Sequence, residues 1–269
     1  MSESVTVSID GHLAVVTLNR PDKANAVSLE MFDALGDAGE QLVADPTIRA
    51  VVLQGAGDNF CAGIDVSIFG QDDAVIDAES MAPGGRSPAN RFQRAAYVWR
   101  ELPVPVICAI TGVAFGAGLQ IALGADLRYA TPDAQLSIME IKWGLIPDLA
   151  ISTTLRDILP VDRVKELTWT GRIVDGKEAL ELGLVTGLHD DPVAAAMRIA
   201  QEICVKSPDA IQAMKTLANS AWHMTEAQAL ALEAKLQLRV LGGENQQEAV
   251  QANVQQRSPE FSDPRGRKA

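Results

Sequence analysis

The feature that most constrains this fold is a stretch without Asp, Glu, Lys or Arg over residues 102–125. A stretch of this length could form a membrane-spanning helix. However, it is interrupted by the helix-breaking or polar residues Pro103, Pro105, Gly112, Gly116, Gly118, Gly124 and Gln120. The pattern therefore predicts a strand over residues 104–110, a turn and an apolar helix. We expect no membrane partner and a strand–turn–helix unit over this stretch.

Periodicity elsewhere in the chain predicts an α/β core followed by an all-helical region. Residues 4–9 and 13–18 flank Gly11 with β-branched or alternating patterns, which is typical of a hairpin. Further strands are expected over residues 49–57, 125–131, 134–138 and 183–189. Helices are expected over residues 28–43 (with Ser28 as N-cap), 90–101, 149–158, 161–169, 175–181, 191–206, 208–221, 225–241 and 244–257. We therefore predict an α/β part over residues 1–190 and a helical region over residues 191–269.

Two segments carry unusual composition. Residues 70–90 are rich in Asp, Gly, Pro and Ser, which predicts a surface loop or lid. The helix over residues 225–241 is apolar around much of its circumference. A helix of this kind is expected to be covered, either by the core or by another subunit.

Charge and cysteine content limit the classes of partner. The net charge of −12 disfavours nucleic acid and anionic lipid, although it does not exclude an anionic small ligand held by a few local cations. The three cysteines include no CxxC pair and no companion histidine, so neither a disulfide framework nor a metal site is expected. The first residues lack a basic start and an apolar run. We expect a cytoplasmic protein with reduced thiols.

The Gly-Ala-Gly turn at residues 116–118 has more than one interpretation. A dinucleotide-binding fingerprint would need a third glycine where Ile121 stands, and no G-x-S-x-G motif supports a hydrolase. The segment "NFCAGID" (residues 59–65) is a second small-residue turn. Two such turns can direct backbone N–H groups at one carbonyl oxygen and form an oxyanion hole. Alternatively, both are simply tight turns.

Two carboxyl groups stand in an apolar segment downstream of these turns. Glu140 and Asp148 lie in "SIMEIKWGLIPDLA" (residues 137–150), where burial would raise their pKa values and suit them to acid–base chemistry. The alternatives are an ion pair of Glu140 with Lys142 and a helix cap formed by Asp148. Gln120, in the first turn of the apolar helix, can orient a group by hydrogen bonds but cannot be a general base.

Four segments in order resemble the successive motifs of the enoyl-CoA hydratase/isomerase (crotonase) family: "NRPDKANAVS" (residues 19–28), "NFCAGID" (59–65), "PVICAITGVAFGAGLQIALGADLRYAT" (105–131) and "MEIKWGLIPD" (139–148). The resemblance implies an acyl-CoA-binding catalytic core built as a spiral of ββα units, followed by a helical C-terminal trimerisation region. It also implies an acyl-CoA thioester substrate, no cofactor apart from the CoA of the substrate, and a homotrimer or a hexamer made of two trimers.

The resemblance assigns roles by motif position. The backbone N–H groups of Ala62 and Ala117 would hold the thioester oxygen and stabilise an enolate. The residues expected to line CoA are Lys23, Ala24, Ala26, Ala62 and Asp65. The C-terminal segment "QQRSPEFSDPRGRKA" resembles the part of the family that completes the CoA site, so that Arg257 is expected to face phosphates.

The same resemblance favours an isomerase over a hydratase. Hydratases of the family use two glutamates, and the first of these positions holds Gln120 while the second holds Glu140. Dienoyl-CoA isomerases of the family have acidic residues at the positions of Glu140 and Asp148. We therefore expect a double-bond isomerase with Glu140, Asp148 and Gln120 in the catalytic site. The alternatives are a hydratase whose water is held by Gln120 and an acyl-CoA-binding protein without turnover.

Overall fold

The computed structural model of the chain describes residues 3–70, 77–84 and 87–264, and its strands form two sheets. The strands are β1 Val5–Asp10, β2 Leu13–Leu18, β3 Ala50–Gly55, β4 Val106–Ile110, β5 Val113–Phe115, β6 Leu127–Ala130, β7 Gln135–Ser137, β8 Val174–Asp175 and β9 Gly187–Leu188. The larger sheet has the order β1-β2-β3-β4-β6-β9, and the smaller has the order β5-β7-β8. The predicted hairpin is confirmed, because β1 and β2 pair antiparallel, whereas the other neighbours in the larger sheet are parallel.

Helices cover both faces of the larger sheet and extend beyond it. They are α1 Leu29–Ala44, α2 Arg94–Glu101, α3 Ala117–Leu123, α4 Ile151–Thr154, α5 Val161–Thr170, α6 Gly176–Leu182, α7 Pro192–Cys204, α8 Pro208–Ala221, α9 Glu226–Val240 and α10 Glu244–Val254. Short 3-10 helices lie at Pro21–Lys23, Val66–Gly70 and Glu140–Trp143. Helix α1 begins as predicted, with the Ser28 hydroxyl accepting a hydrogen bond from the Met31 N–H. No helix in the described part of the chain combines the length and apolarity that crossing a bilayer requires.

The uncharged stretch forms β4, β5 and α3 at the centre of the molecule. Every residue of β4 and α3 is buried. Parallel strands covered on both faces need continuous apolar sequence, which explains the absence of charge. On one face of the sheet, Ala196 and Ala200 of α7 pack against Val52 and Ile107. The predicted division near residue 190 therefore does not separate α7 from the sheet.

Several elements differ from the sequence-based expectation, among them β5, α4 and β9. Strand β5 lies inside the predicted turn, because it pairs with β7, a partner distant in sequence. The helix expected over residues 149–158 is reduced to the single turn of α4, and the strand expected over residues 183–189 is reduced to β9. Residues 71–76 and 85–86 of the predicted surface loop lie outside the described residues, and 77–82 form turns.

Helix α9 is more exposed than its apolar sequence predicts. Within this single chain, α9 packs on α8 and buries Leu236, while Leu230 and Leu238 are exposed. The core of the same chain therefore does not cover α9. The expectation of a covering subunit stays a prediction.

Lys215 anchors the helical region to the core. Its buried ammonium group donates hydrogen bonds to the carbonyls of Trp99 (3.0 Å) and Val104 (2.9 Å) and to the carboxylate of Asp126 (2.7 Å). The same carboxylate accepts the Val106 N–H at 2.8 Å. A single side chain of α8 thus connects the end of α2, the start of β4 and the segment before β6.

We predict that Lys215→Met lowers the free energy of unfolding by about 2 kcal/mol, because it leaves buried carbonyl groups without a donor. Lys235→Met, at an exposed position of α9, is the matched control and should be nearly neutral. Urea denaturation of both variants tests this anchor. An equal loss in both variants, or none in either, would contradict it.

Candidate active site

A sharp turn at Gly116 joins β5 to α3 and forms one wall of the site. Gly116 has φ 49° and ψ −118°, a conformation that favours glycine, and its N–H donates to the Ser137 carbonyl at 2.9 Å. A Cβ atom at this position would lie 3.1 Å from Glu140 Oε1, and one at Gly118 would lie 2.6 Å from the Cys61 carbonyl oxygen. The two glycines therefore allow close approach of the Glu140 carboxyl and of the neighbouring turn at Cys61.

Gln120 lies in the first turn of α3 and is held at both ends of its amide. The side chain is 1% exposed. Its Nε2 donates to Glu140 Oε1 at 2.6 Å, and its Oε1 accepts the Leu149 N–H at 2.9 Å. Because the Leu149 N–H can only donate, the oxygen of the amide must face it, and the NH₂ group must face the carboxyl. Gln120 therefore fixes the position of Glu140.

Glu140 begins the 3-10 helix Glu140–Trp143 and presents one free oxygen. Burial raises the pKa of Glu140 above its usual range, and the nearby charge of Asp148 raises it further. The hydrogen bond from Gln120 acts in the opposite direction, because it stabilises the carboxylate. Oε2 is buried and has no hydrogen-bond partner among the described residues. This oxygen can exchange a proton with a ligand.

Asp148 follows the same 3-10 helix and lines the same cavity as Glu140, although it is the more exposed of the two residues. Burial raises the pKa of Asp148 as well. Neither of the two alternative roles, an ion pair for Glu140 or a helix cap for Asp148, is observed among the described residues. No ion pair joins Glu140 to Lys142, and the residue that caps α4 is Ala150. Two carboxyl groups with raised pKa values therefore share one site.

The catalytic residues expected from sequence meet in a single cavity of about 350 Å³. Its polar side chains are Gln120, Glu140, Lys142 and Asp148. The other lining residues are Phe32, Ala62, Gly63, Ile64, Val66, Phe115, Gly116, Ala117, Met139, Trp143, Leu145, Ile146, Leu149 and Ile173. A mostly apolar cavity with a few convergent polar groups is the usual form of a small-molecule site.

The expected oxyanion hole needs one correction. The Ala62 N–H donates to the Ala24 carbonyl at 2.9 Å, so it is not available to a thioester oxygen. Ile64, two residues later, forms a parallel bridge with Val27. The Val27 N–H donates to the Gly63 carbonyl, and the Val27 carbonyl accepts the Asp65 N–H. The Ile64 N–H therefore faces away from Val27, and no described residue accepts a hydrogen bond from it.

Ala117 agrees better with the expectation. It is the first residue of α3, where the N–H group has no partner four residues earlier. No described residue accepts a hydrogen bond from this group, and both Ala117 and Ile64 line the cavity. The sequence alone does not reveal Ile64, because the direction in which a backbone N–H points along an extended segment depends on the segment that pairs with it.

The segment expected to line CoA lies beside the cavity rather than in it. Of the five residues named for that role, only Ala62 lines the cavity. Ala24 contacts Ala62 through its carbonyl, while Arg20 donates to the Ala26 carbonyl and to Asp65, the latter at 3.0 Å. Hydrogen bonds from Ser67, and then the contact with Arg20, hold the pKa of Asp65 below its usual range. Lys23 is exposed.

Asn25 is a buried residue of this segment that the sequence analysis did not identify. Its Nδ2 donates to the carbonyls of Ala56 (2.9 Å) and Asn59 (2.7 Å), and its Oδ1 accepts the Arg20 N–H at 2.8 Å. Asn25 thus joins the first motif to the turn that carries Ile64. A polar residue between two alanines gave no signal of this role.

Arg257 does not present a free cation in this chain. Its guanidinium group pairs with both carboxylate oxygens of Glu248, and this pairing lowers the pKa of Glu248 to about 2. The expectation that Arg257 faces phosphates is therefore not supported by its contacts.

Sequence and structure comparisons agree with this geometry. A sequence profile described as enoyl-CoA hydratase/isomerase matches residues 8–264. An enoyl-CoA hydratase of Mycobacterium tuberculosis is 32% identical over 93% of each chain. A peroxisomal Δ(3,5)-Δ(2,4)-dienoyl-CoA isomerase of Arabidopsis thaliana is 30% identical over 97% of this chain and 96% of that protein. The crystal structure of an enoyl-CoA hydratase from Bacillus anthracis has a TM-score of 0.86 at 28% identity and covers 97% of this chain and 100% of that chain. The chain therefore has the crotonase fold and belongs to the enoyl-CoA hydratase/isomerase family.

Proposed function

We propose that the protein forms the enolate of an acyl-CoA thioester and shifts a double bond in its enoyl or dienoyl chain. The observation that carries this proposal is the presence of both Glu140 and Asp148 in one cavity. Both carboxyl groups line one apolar cavity and both have raised pKa values, while the first position of a two-glutamate hydratase site is an amide. Moving a proton along a chain needs one base and one acid, and the two carboxyl groups supply them.

The N–H groups of Ile64 and Ala117 are assigned to the thioester oxygen. Hydrogen bonds from two backbone donors become stronger as negative charge develops on that oxygen. Glu140 Oε2 then takes a proton from the acyl chain, and the electron pair of that C–H bond moves into the conjugated system as the enolate. Asp148 gives a proton to a carbon further along the chain as the double bond moves, and the proton on Glu140 then passes to Asp148, which restores both carboxyl groups. One proton leaves and one is returned, so the product is an isomer of the substrate.

Gln120 acts in this proposal as a positioning residue. Its amide holds Glu140 Oε1, which leaves Oε2 as the oxygen that faces the substrate. The Leu149 N–H prevents the amide from turning around.

The CoA moiety is proposed to run along residues 20–26. This segment contacts Ala62 at the edge of the cavity. Lys23 is exposed there and forms none of the ion pairs found among the described residues, so its ammonium group is available to a phosphate.

Hydration of a 2-enoyl-CoA is the second candidate. Relatives of this chain are named as hydratases as well as isomerases. The amide of Gln120 also has a second N–H that is not used by Glu140, and this group could orient a water. The amide cannot accept a proton from that water, which favours the isomerase.

We predict that Glu140→Gln lowers turnover at least about 10²-fold, because it removes the general base. The measurement is mass spectrometry of 2-enoyl-, 3-enoyl- and 3,5-dienoyl-CoA after incubation in deuterated water. Glu202→Gln, at an exposed position of α7, is the control and should keep full activity.

Deuterium uptake or a shifted double bond supports the isomerase, and addition of a whole water supports the hydratase. Unchanged substrates with bound CoA ester would instead indicate a binding protein, and full activity of Glu140→Gln would contradict the assigned base.

Asp148→Asn should move the acidic limb of the kcat/KM profile to lower pH. When Asp148 is ionised, its charge raises the pKa of Glu140, and a base with a raised pKa stays protonated and inactive up to a higher pH. Removing that charge therefore lets Glu140 ionise at lower pH. A shift to higher pH, or the same shift in the exposed control Asp133→Asn, would argue against this coupling.

Gln120→Glu should convert the site towards hydration. The new carboxyl would lie against Glu140 at the present 2.6 Å contact, and two carboxylates this close share one proton, which supplies an acid and a base. We expect the yield of 3-hydroxyacyl-CoA from 2-enoyl-CoA to rise at least about tenfold. Gln120→Met, of similar size but without the hydrogen bonds, should gain no hydratase activity. Unchanged product ratios in Gln120→Glu would contradict the role given to the amide.

A further inference from the structure

An ion pair between Arg20 and Asp65 lies beside the turn that carries Ile64 and has no role in the proton transfers. Arg20 Nη2 donates to Asp65 Oδ2 at 3.0 Å, and Arg20 Nη1 donates to the Ala26 carbonyl. The two side chains are mostly buried, with 23% and 19% of their surface exposed. Neither residue lines the catalytic cavity. The pair can therefore affect chemistry in the cavity only through the backbone that it holds.

The backbone in question is the parallel bridge between Val27 and Ile64. The Val27 N–H donates to the Gly63 carbonyl at 2.8 Å, and the Val27 carbonyl accepts the Asp65 N–H at 2.9 Å. Ala26 directly precedes Val27, and Asp65 directly follows Ile64. A guanidinium group that binds both of these neighbours therefore connects the two segments of the bridge a second time.

Ser67 holds the Asp65 carboxylate from its other side. Oδ1 of Asp65 accepts the Ser67 hydroxyl at 2.8 Å and the Ser67 N–H at 3.2 Å, so that Oδ2 is left for Arg20. Hydrogen bonds between charged partners are about twice as strong as those between neutral ones. The connection across the bridge is therefore a charged one with a fixed acceptor.

We propose that Arg20 and Asp65 are positioning residues of the oxyanion hole, because their ion pair fixes the direction of the Ile64 N–H. The assignment of this N–H to a thioester oxygen rests on the proposed function. In a parallel pairing the direction of each N–H follows from the register and closeness of the partner segment. A looser bridge would turn the Ile64 N–H away from the thioester oxygen, and a hydrogen bond weakens steeply as its angle departs from linearity.

The first test is infrared spectroscopy of octanoyl-CoA labelled with carbon-13 at the thioester carbonyl and bound to the full chain. This saturated ligand has no double bond to shift. Hydrogen bonds from the oxyanion hole polarise the carbonyl, so its stretching frequency should fall when it binds the wild-type protein. Arg20→Met should lose about half of this shift, because it displaces one of the two backbone donors.

The second test measures turnover of enoyl-CoA substrates by the same variant. Loss of an oxyanion-hole donor lowers kcat about 10²–10³-fold, so a displaced donor should lower kcat at least about tenfold and change KM little. Arg20→Lys should be intermediate, because an ammonium group keeps the charge without the fork that reaches Ala26 and Asp65 together. Asp65→Asn weakens the same connection from its other end, and it tests the inference if Arg20→Met does not fold.

Arg91→Met is the matched control. Arg91 forms an ion pair with Asp33 at 2.6 Å, and neither residue lines the catalytic cavity. This variant should keep the wild-type kcat and the wild-type carbonyl frequency. A comparable fall in kcat would overturn the inference, because it would show that loss of any such ion pair is sufficient.

The carbonyl frequency separates this inference from its rivals. The wild-type frequency in both Arg20→Met and Asp65→Asn would overturn the inference alone. An unchanged frequency with a weaker Kd for free CoA in Arg20→Met would overturn it too, and would make Arg20 a ligand of the CoA phosphates. Bound octanoyl-CoA without any lowered frequency in the wild-type protein would overturn the thioester placement of the proposed function, and this inference with it.

Discussion

The buried amide of Gln120 is the contact on which the geometry of the site depends. It connects α3, the start of the 3-10 helix Glu140–Trp143 and the segment before α4 through two hydrogen bonds. Gln120 is 20 residues from Glu140 and 29 residues from Leu149 in sequence, so both contacts depend on the tertiary fold. An ionisable residue in this place would change its charge with pH, whereas the amide keeps the same donor and acceptor at every pH.

Burial has opposite consequences for stability and for chemistry in this cavity. The apolar walls raise the pKa values of Glu140 and Asp148, which means that the folded state disfavours their charged forms. These carboxyl groups therefore oppose folding at pH values where the unfolded chain would ionise them. The same shift brings them closer to the pH at which a proton can be both accepted and returned. The hydrophobic clusters that pack against the larger sheet compensate for this cost.

The two cavities and helices α8–α10 occupy different parts of the fold. Close packing of α3 against the turn at Cys61 brings two backbone N–H groups to one cavity, which requires glycine at position 118. A second cavity of about 460 Å³ lies beside it, between the segment after Glu140 and helices α4 and α5. Helices α8–α10 contribute no residue to the lining of either cavity, and Lys215 of α8 joins α8 to the core.

The sequence by itself determined the central strand–turn–helix unit, the hairpin, the capped start of α1 and the candidate acids Glu140 and Asp148. These follow from local signals: absence of charge, periodicity, a capping serine and carboxyl groups among apolar residues. Only the tertiary structure decided that Ile64 rather than Ala62 has the free N–H, that Gln120 binds Glu140 instead of standing alone, and that Asn25 joins two motifs. The physical reason is that a hydrogen bond depends on which distant group faces the donor, and pairing across the fold, not neighbouring residues, sets that partner.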